Sequence, residues 1–203
     1  MGEYHWKDSM KTHAKNIVSR RVLAKGAMWA APVVAATAFV PSHAVSNAQP
    51  TPRVSGNMQV KSECFFNTDN IIRISNVANY PRGGFWVEEA QASSKATDAK
   101  IIFYFPTNLG DLKWRAQRNN GLWSTPTYDS TAPTINGFRA YTTTYHGTWE
   151  YNGRNRILLT TSGMEFVANG PQNLCRATVT THAIRSVKVD GVVRTKKTKS
   201  TLT

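Results

Sequence analysis

The chain has 203 residues, with 25 Lys+Arg against 12 Asp+Glu, two Cys and a formal charge of +13. That length supports an ordinary domain with a real core, without help from metals or many disulfides. After residue 44 no apolar run reaches membrane-spanning length, so no span is expected there.

The first 44 residues have the layout of an export signal. Residues 1–25 are polar and basic, Gly26 to Val40 are mildly apolar, and Pro41-Ser42-His43-Ala44 supplies a stop and a small-x-small site. Cleavage is expected after Ala44, with Ser42 and Ala44 as the small residues, or after Ala48. The apolar run is about 15 residues, short for a hydrocarbon core of roughly 30 Å and suited to the hydrophobic part of a signal peptide. An uncleaved amino-terminal anchor is the alternative. Ser19-Arg20-Arg21-Val22-Leu23-Ala24-Lys25 resembles the twin-arginine export signal, through Ser19, Arg20, Arg21, Leu23 and Lys25. Ala24 is smaller than that family prefers, and Leu23 stands where Phe is commonest. An ordinary secretory signal with two adjacent Arg is the other reading. The wider stretch from Lys25 to Ala36 resembles the leaders of small exported actinobacterial proteins. These resemblances cover residues 19–48 and imply an export translocase and a signal peptidase as partners. They imply an extracellular or cell-envelope location and no catalytic residue.

Residues 45–56 are Pro- and Ser-rich and are expected to be a linker. From 57 to 195 the texture is β. Val60, Ser62, Cys64 and Phe66 alternate, Ile72 and Ile74 follow, and Phe85-Trp86-Val87 comes after the Pro81-Arg82-Gly83-Gly84 turn. Ile101-Ile102-Phe103-Tyr104-Phe105 is a continuous apolar run, expected to be the most buried strand. Residues 88–99 have helix propensity but no apolar stripe, and predict a loop or a short helix. Asn152-Gly153 predicts a two-residue type I′ turn between strands 139–151 and 154–161, with Tyr151 opposite Arg154 and Trp149 opposite Arg156. Asp190-Gly191 predicts a second such turn, joining Ser186–Val189 to Val192–Thr195. Met164–Ala168 and Leu174–Ile184 are further strands. Many short strands and frequent turns predict an all-β fold, a two-sheet antiparallel sandwich of immunoglobulin-like type, preceded by a helical signal segment.

Cys64 and Cys175 are expected to pair, because an even pair outside the membrane usually closes. The bridge would close a loop of about 110 residues and serve stability. No Cys-x-x-Cys, Gly-x-Ser-x-Gly or His/Cys cluster occurs after residue 44, so no cofactor or metal is expected. Asn67-Thr68-Asp69-Asn70 suits an Asx turn better than a calcium loop. His146 and His182 lack spacing to a Ser or Asp partner. Glu88, Glu89, Asp111, Asp129, Glu150 and Glu165 are the carboxylates that could supply a glycan-hydrolysing pair.

Two features suggest binding. Aromatic filling of the sheet faces is the preferred reading of the Trp and Tyr residues, and Trp114, Trp123 and Tyr128, in the turn-rich stretch 107–134, are the candidate rings for stacking on sugars. Arg185, Lys188, Arg194, Lys196, Lys197 and Lys199 gather against a single Asp190, and residues 196–203 are expected to form a basic flexible tail. Such a tail attracts anionic wall polymers in a salt-sensitive way. Nucleic acid is not an expected partner, since no recognition motif appears. The leading reading is an exported, envelope-associated or secreted β-sandwich with a non-enzymatic binding or structural role. The alternative is a secreted hydrolase of envelope polysaccharide.

Overall fold

Strands dominate because β-branched and aromatic residues alternate with polar ones over most of the chain. The computed structural model describes residues 50–64, 70–76, 80–118, 121–172, 174–176 and 178–202. The export signal, both cleavage sites, Phe66 and the Asn67–Asp69 part of the Asx-turn prediction lie outside them.

Thirteen strands are present among the described residues: β1 Arg53–Asn57, β2 Gln59–Glu63, β3 Ile71–Ser75, β4 Gly84–Glu88, β5 Ala96–Pro106, β6 Trp114–Arg118, β7 Thr127–Tyr128, β8 Phe138–Thr144, β9 Trp149–Asn152, β10 Ile157–Thr160, β11 Glu165–Asn169, β12 Val179–Val189 and β13 Val192–Leu202. They form three antiparallel sheets rather than the expected two. The orders are β1-β4-β10-β9, β2-β3-β11-β6 and β13-β12-β5-β8-β7. No α-helix occurs among the described residues, and 89–95 is a loop entering β5.

The run Ile101–Phe105 is buried throughout, as expected. Its alternation explains why. Ile101, Phe103 and Phe105 join the main core with Ile72, Ile74, Phe85, Val87 and Phe166. Ile102 and Tyr104, on the opposite face, form a second cluster with Ala140 and Ile184, covered by Ala132, Ile135 and Phe138. A strand covered on both faces needs no polar alternation. Truncating Phe103 to Ala would cost about 3–5 kcal/mol.

Buried asparagines at the two ends of β3 tie down the flanks of β11. Asn70 Nδ2 donates to the carbonyls of Pro171 (3.0 Å) and Gln172 (2.8 Å). Asn76 Oδ1 accepts from the Met164 N–H at 2.5 Å. The Cys64–Cys175 disulfide closes beside Asn70, with Cα atoms 6.0 Å apart and a sequence separation of 111.

Several expectations are corrected. Asp190-Gly191 does make the two-residue turn, with φ of 49° and 82° and Val189 opposite Val192. Asn152-Gly153 does not. The loop there runs over 153–156, and Tyr151 faces Leu158 while Trp149 faces Thr160. The Asn152 side chain accepts the Asn155 N–H at 3.4 Å, an Asx-type turn that replaces the tight one. Arg156 takes φ 53° beyond the strand, where its carbonyl accepts the Ala90 N–H and its guanidinium lies 3.7 Å from Glu89. The stacked Arg–aromatic pairs are therefore absent.

The predicted strand 139–151 is broken at 145–148, with β8 in the third sheet and β9 in the first. The cause is Tyr145. Its hydroxyl donates to the Thr148 carbonyl (2.7 Å) and accepts the Thr161 N–H (2.9 Å), closing a corner over Gly147. A Cβ at Gly147 would collide with the Tyr145 ring. Residues 53–56, assigned to the linker, form β1. Leu174–Arg176 is a 3-10 turn, and β12 runs unbroken from 179 to 189 in place of two shorter strands. Residues 196–202 are no flexible tail: they continue β13 along the whole of β12.

Candidate anion-binding surface

The aromatic candidates separate on burial. Trp123 is 1% exposed, and its indole N–H donates to the Ser162 carbonyl at 3.1 Å. Its ring lies 4.9 Å from Tyr145 and 6.0 Å from Phe85. This ring fills the core and cannot meet a sugar, because the bridge to Tyr145 turns it inward. Trp114 is half-buried against Phe105 (5.3 Å) and Tyr141 (6.2 Å). Tyr128 is 60% exposed and lines a small cleft of about 120 Å³ beside Asp129, Phe138 and Arg139. The three rings do not form one stacking surface.

Five of the six candidate carboxylates are engaged locally. Arg53 lies 3.8 Å from Glu88 and 3.9 Å from Glu89. Asp111 pairs with Lys113 at 2.5 Å, and that hydrogen bond holds its carboxyl below the usual range. Asp129 accepts from the Thr131 and Thr142 hydroxyls at 2.7 Å each, which lowers its pKa too. Glu165 accepts from Arg73, which also grips Glu63 through Nε (2.5 Å) and Nη2 (2.7 Å). Glu150 lines a separate groove with Tyr80 and Asn152. An acid–base pair needs one carboxyl held neutral. The resolved shifts run the other way, toward the ionised form. His146 Nε2 lies 2.9 Å from Thr144 Oγ1, and His182 sits edge-on to Phe138 at 4.9 Å. Among the described residues no group of three His, Cys, Asp or Glu could hold a metal, and no helix is long and apolar enough to cross a membrane.

The cations give the clearest arrangement. β13 is an edge strand, so its side chains alternate between two faces. Arg194 and Lys196 share the face of Leu202, a core residue. Lys197 and Lys199 point the other way, opposite Ile184 and His182 of β12. Lys100 of β5 lies on that outer face too, in the row of Thr195 and Ser186. Lys188 is neutralised by Asp98 at 2.9 Å, and its hydrogen bond holds the Asp98 carboxyl low. Asp190 Oδ1 instead accepts the Lys95 backbone N–H at 2.7 Å. The acid expected to balance the basic cluster is thus spent on the hairpin.

Sequence inspection gave no reason to group Arg53 or Lys100 with the basic set. Both are far from the carboxy terminus in the chain, and only sheet order brings them near β13. It also gave no sign that Arg185 would be buried. That residue is 4% exposed, and burial alone pushes its guanidinium down to about 10.

No family model matches this chain, and no curated protein matches it. A solved structure titled "AvmM Catalyzes Macrocyclization in Alchivemycin A Biosynthesis" is similar at a TM-score of 0.30 and 7% identity, over 73% of this chain and 89% of that one. A likeness at that level carries no argument about fold or activity.

Proposed function

We propose that this is an exported, envelope-associated protein with a non-enzymatic binding role, held on anionic surface polymers by the cations of β13. The observation that carries the reading is the state of those cations. Arg194, Lys196, Lys197 and Lys199 make no ion pair among the described residues, and they stand on one strand at the edge of a sheet. Fixed charges on a strand hold their spacing, whereas a flexible tail loses entropy on ordering. Lysines on an edge strand also keep it from pairing with another chain, so the same residues protect the fold.

The architecture we propose is a two-layer sandwich. β1 and β2 are separated only by Met58, and they pair with β4 and β3 respectively. β10 and β11 pair with β4 and β3 in the same sense. The first two sheets are then halves of one kinked layer, sharing the main core with the third. The disulfide and the export signal support a location outside the cytoplasmic membrane.

Cell fractionation with intact-mass analysis tests the export part. The expected product begins near residue 45, is two mass units lighter than the reduced chain, and is found in the envelope fraction. A full-length product in the cytoplasm would overturn the reading.

A further inference from the structure

Two cations face each other where β12 and β13 meet. Arg185 is the register partner of Lys196, and both project toward the first sheet. Like charges directly opposite in an antiparallel pair repel. One of these is buried, and burying an unpaired cation costs several kcal/mol unless something compensates. No carboxylate does so among the described residues. Arg185 Nη1 donates one long bond, 3.4 Å, to Thr198 Oγ1, and its Nε is buried without a partner. Lys196 Nζ reaches only the Ser55 hydroxyl, at 3.2 Å.

The backbone of β1 passes beside this pair. Gly56 takes φ 151°, and a Cβ there would lie 2.8 Å from the Gly84 carbonyl and 3.4 Å from Arg185 Nε. The glycine is required by the close approach of the β4 backbone at Gly84, while Arg185 Nε lies at ordinary contact distance beside it. Beside the pair a cleft of about 620 Å³ opens between β1 and β13, lined by Arg53, Val54, Glu88, Val193, Arg194 and Lys196 among others. Arg194 Nε is buried and unpartnered as well. Glu88 is the single acid in the lining, and it already lies against Arg53. Two further cations of the wall, Arg194 and Lys196, have no acid.

We propose that this cleft is a binding site for phosphate groups, taken either as free phosphate compounds or as the phosphodiesters of a surface polymer. Arg194 offers a forked donor that matches phosphate oxygens, Lys196 adds a point charge, and Arg185 supplies positive field from beneath. The volume exceeds one phosphate and admits several units of a chain. The site rests on the reading that anionic polymers hold the protein, and narrows it from a diffuse attraction to one place.

The test uses the protein purified from exporting cells, titrated calorimetrically with inorganic pyrophosphate and with poly(glycerol phosphate). R194Q is expected to weaken pyrophosphate binding about tenfold or more, the loss of one or two charge-assisted hydrogen bonds, and R185M to weaken it through loss of the field beneath the cleft. K199Q, which removes the same charge from the outer face, is expected to change it less than twofold. R194Q keeps the test open should R185M fold poorly. Equal weakening by R194Q and K199Q would overturn the site and leave only diffuse attraction. No binding of either probe by the wild-type protein would overturn it outright. Tighter binding per phosphate to the polymer than to pyrophosphate would identify the polymer as the source, and the reverse a free phosphate compound. Failure of the wider reading shows separately, as wild-type protein that envelopes do not retain at any salt.

Discussion

Arg185 is the residue whose presence the fold explains least. Its charge is buried, opposed by Lys196 and held by one long hydrogen bond. Its pKa of about 10 lies well below the ordinary guanidinium range, so the unfolded chain holds this proton more tightly than the native one. The penalty is therefore present in full below about pH 10 and is relieved only above it. An apolar side chain of similar length removes the penalty and keeps the packing. Arg185→Met is expected to stabilise the ligand-free protein by about 1–3 kcal/mol in urea unfolding at pH 7, a range set by replacement of buried charges elsewhere. The same variant binds phosphate more weakly in the site proposed above. A residue that costs stability and supports binding is the pattern of a functional position. Loss of stability on substitution would instead make Arg185 a structural residue.

Among the elements, β2, β3 and β11 are joined by one charged cluster. Arg73 of β3 holds Glu63 of β2 and Glu165 of β11, and its Nη1 reaches Gln117 of β6 at 2.5 Å. The hydrogen bond from Arg73 lowers the Glu63 pKa, and those same partners raise that of Arg73. A depressed carboxylate contributes stability above its unfolded pKa of roughly 4.3, which is lost as pH falls through the lower folded value. Arg73→Met should cost about 2 kcal/mol at neutral pH, allowing for partial exposure, because it removes the cation that holds Glu63 and leaves the buried Glu165 with Arg118 alone, 3.8 Å away. Much of that difference should vanish below about pH 4. Urea unfolding of both proteins at pH 7 and pH 3.5 checks it; an unchanged difference at the two pH values would show that packing, not charge, sets the cost.

The same scale shows what the sequence could reveal. Ile101–Phe105 was legible because a strand covered on both faces is apolar at every position. Asp190-Gly191 was legible because two adjacent left-handed residues have few other solutions. Asn152-Gly153 misled, because the Asn152 side chain and the attachment of Arg156 to Ala90 favour a longer loop, and neither partner is near in sequence. β13 was hidden for a different reason. Only Leu202 enters the main core, so its Thr and Lys residues give no apolar alternation. Its one signal was a length that matches β12 across a two-residue turn. Trp123 could not be told from an exposed ring, since its burial depends on Tyr145 and Ser162.

At the scale of the molecule, three sheets share one core and one disulfide ties the end of β2 to the turn before β12. Reducing Cys64–Cys175 should lower stability by about 2–5 kcal/mol. Unfolding followed with and without reductant tests this, and equal midpoints would assign the bridge no stabilising part. Between residues 45 and 203 the chain carries 19 Lys+Arg and 10 Asp+Glu, an excess that attracts polyanions whatever the local geometry. What β13 adds is position. Four of the excess charges stand on one edge strand, two facing a cleft and two facing outward.

The most direct test of that claim is a salt-elution series from isolated envelopes, comparing the wild-type protein with the variant R194Q/K196Q/K197Q/K199Q. Retention of the wild-type protein at low salt, release at moderate salt, and little retention of the variant at any salt would establish β13 as the binding element. Equal retention of both proteins, or wild-type retention that ignores salt, would contradict it.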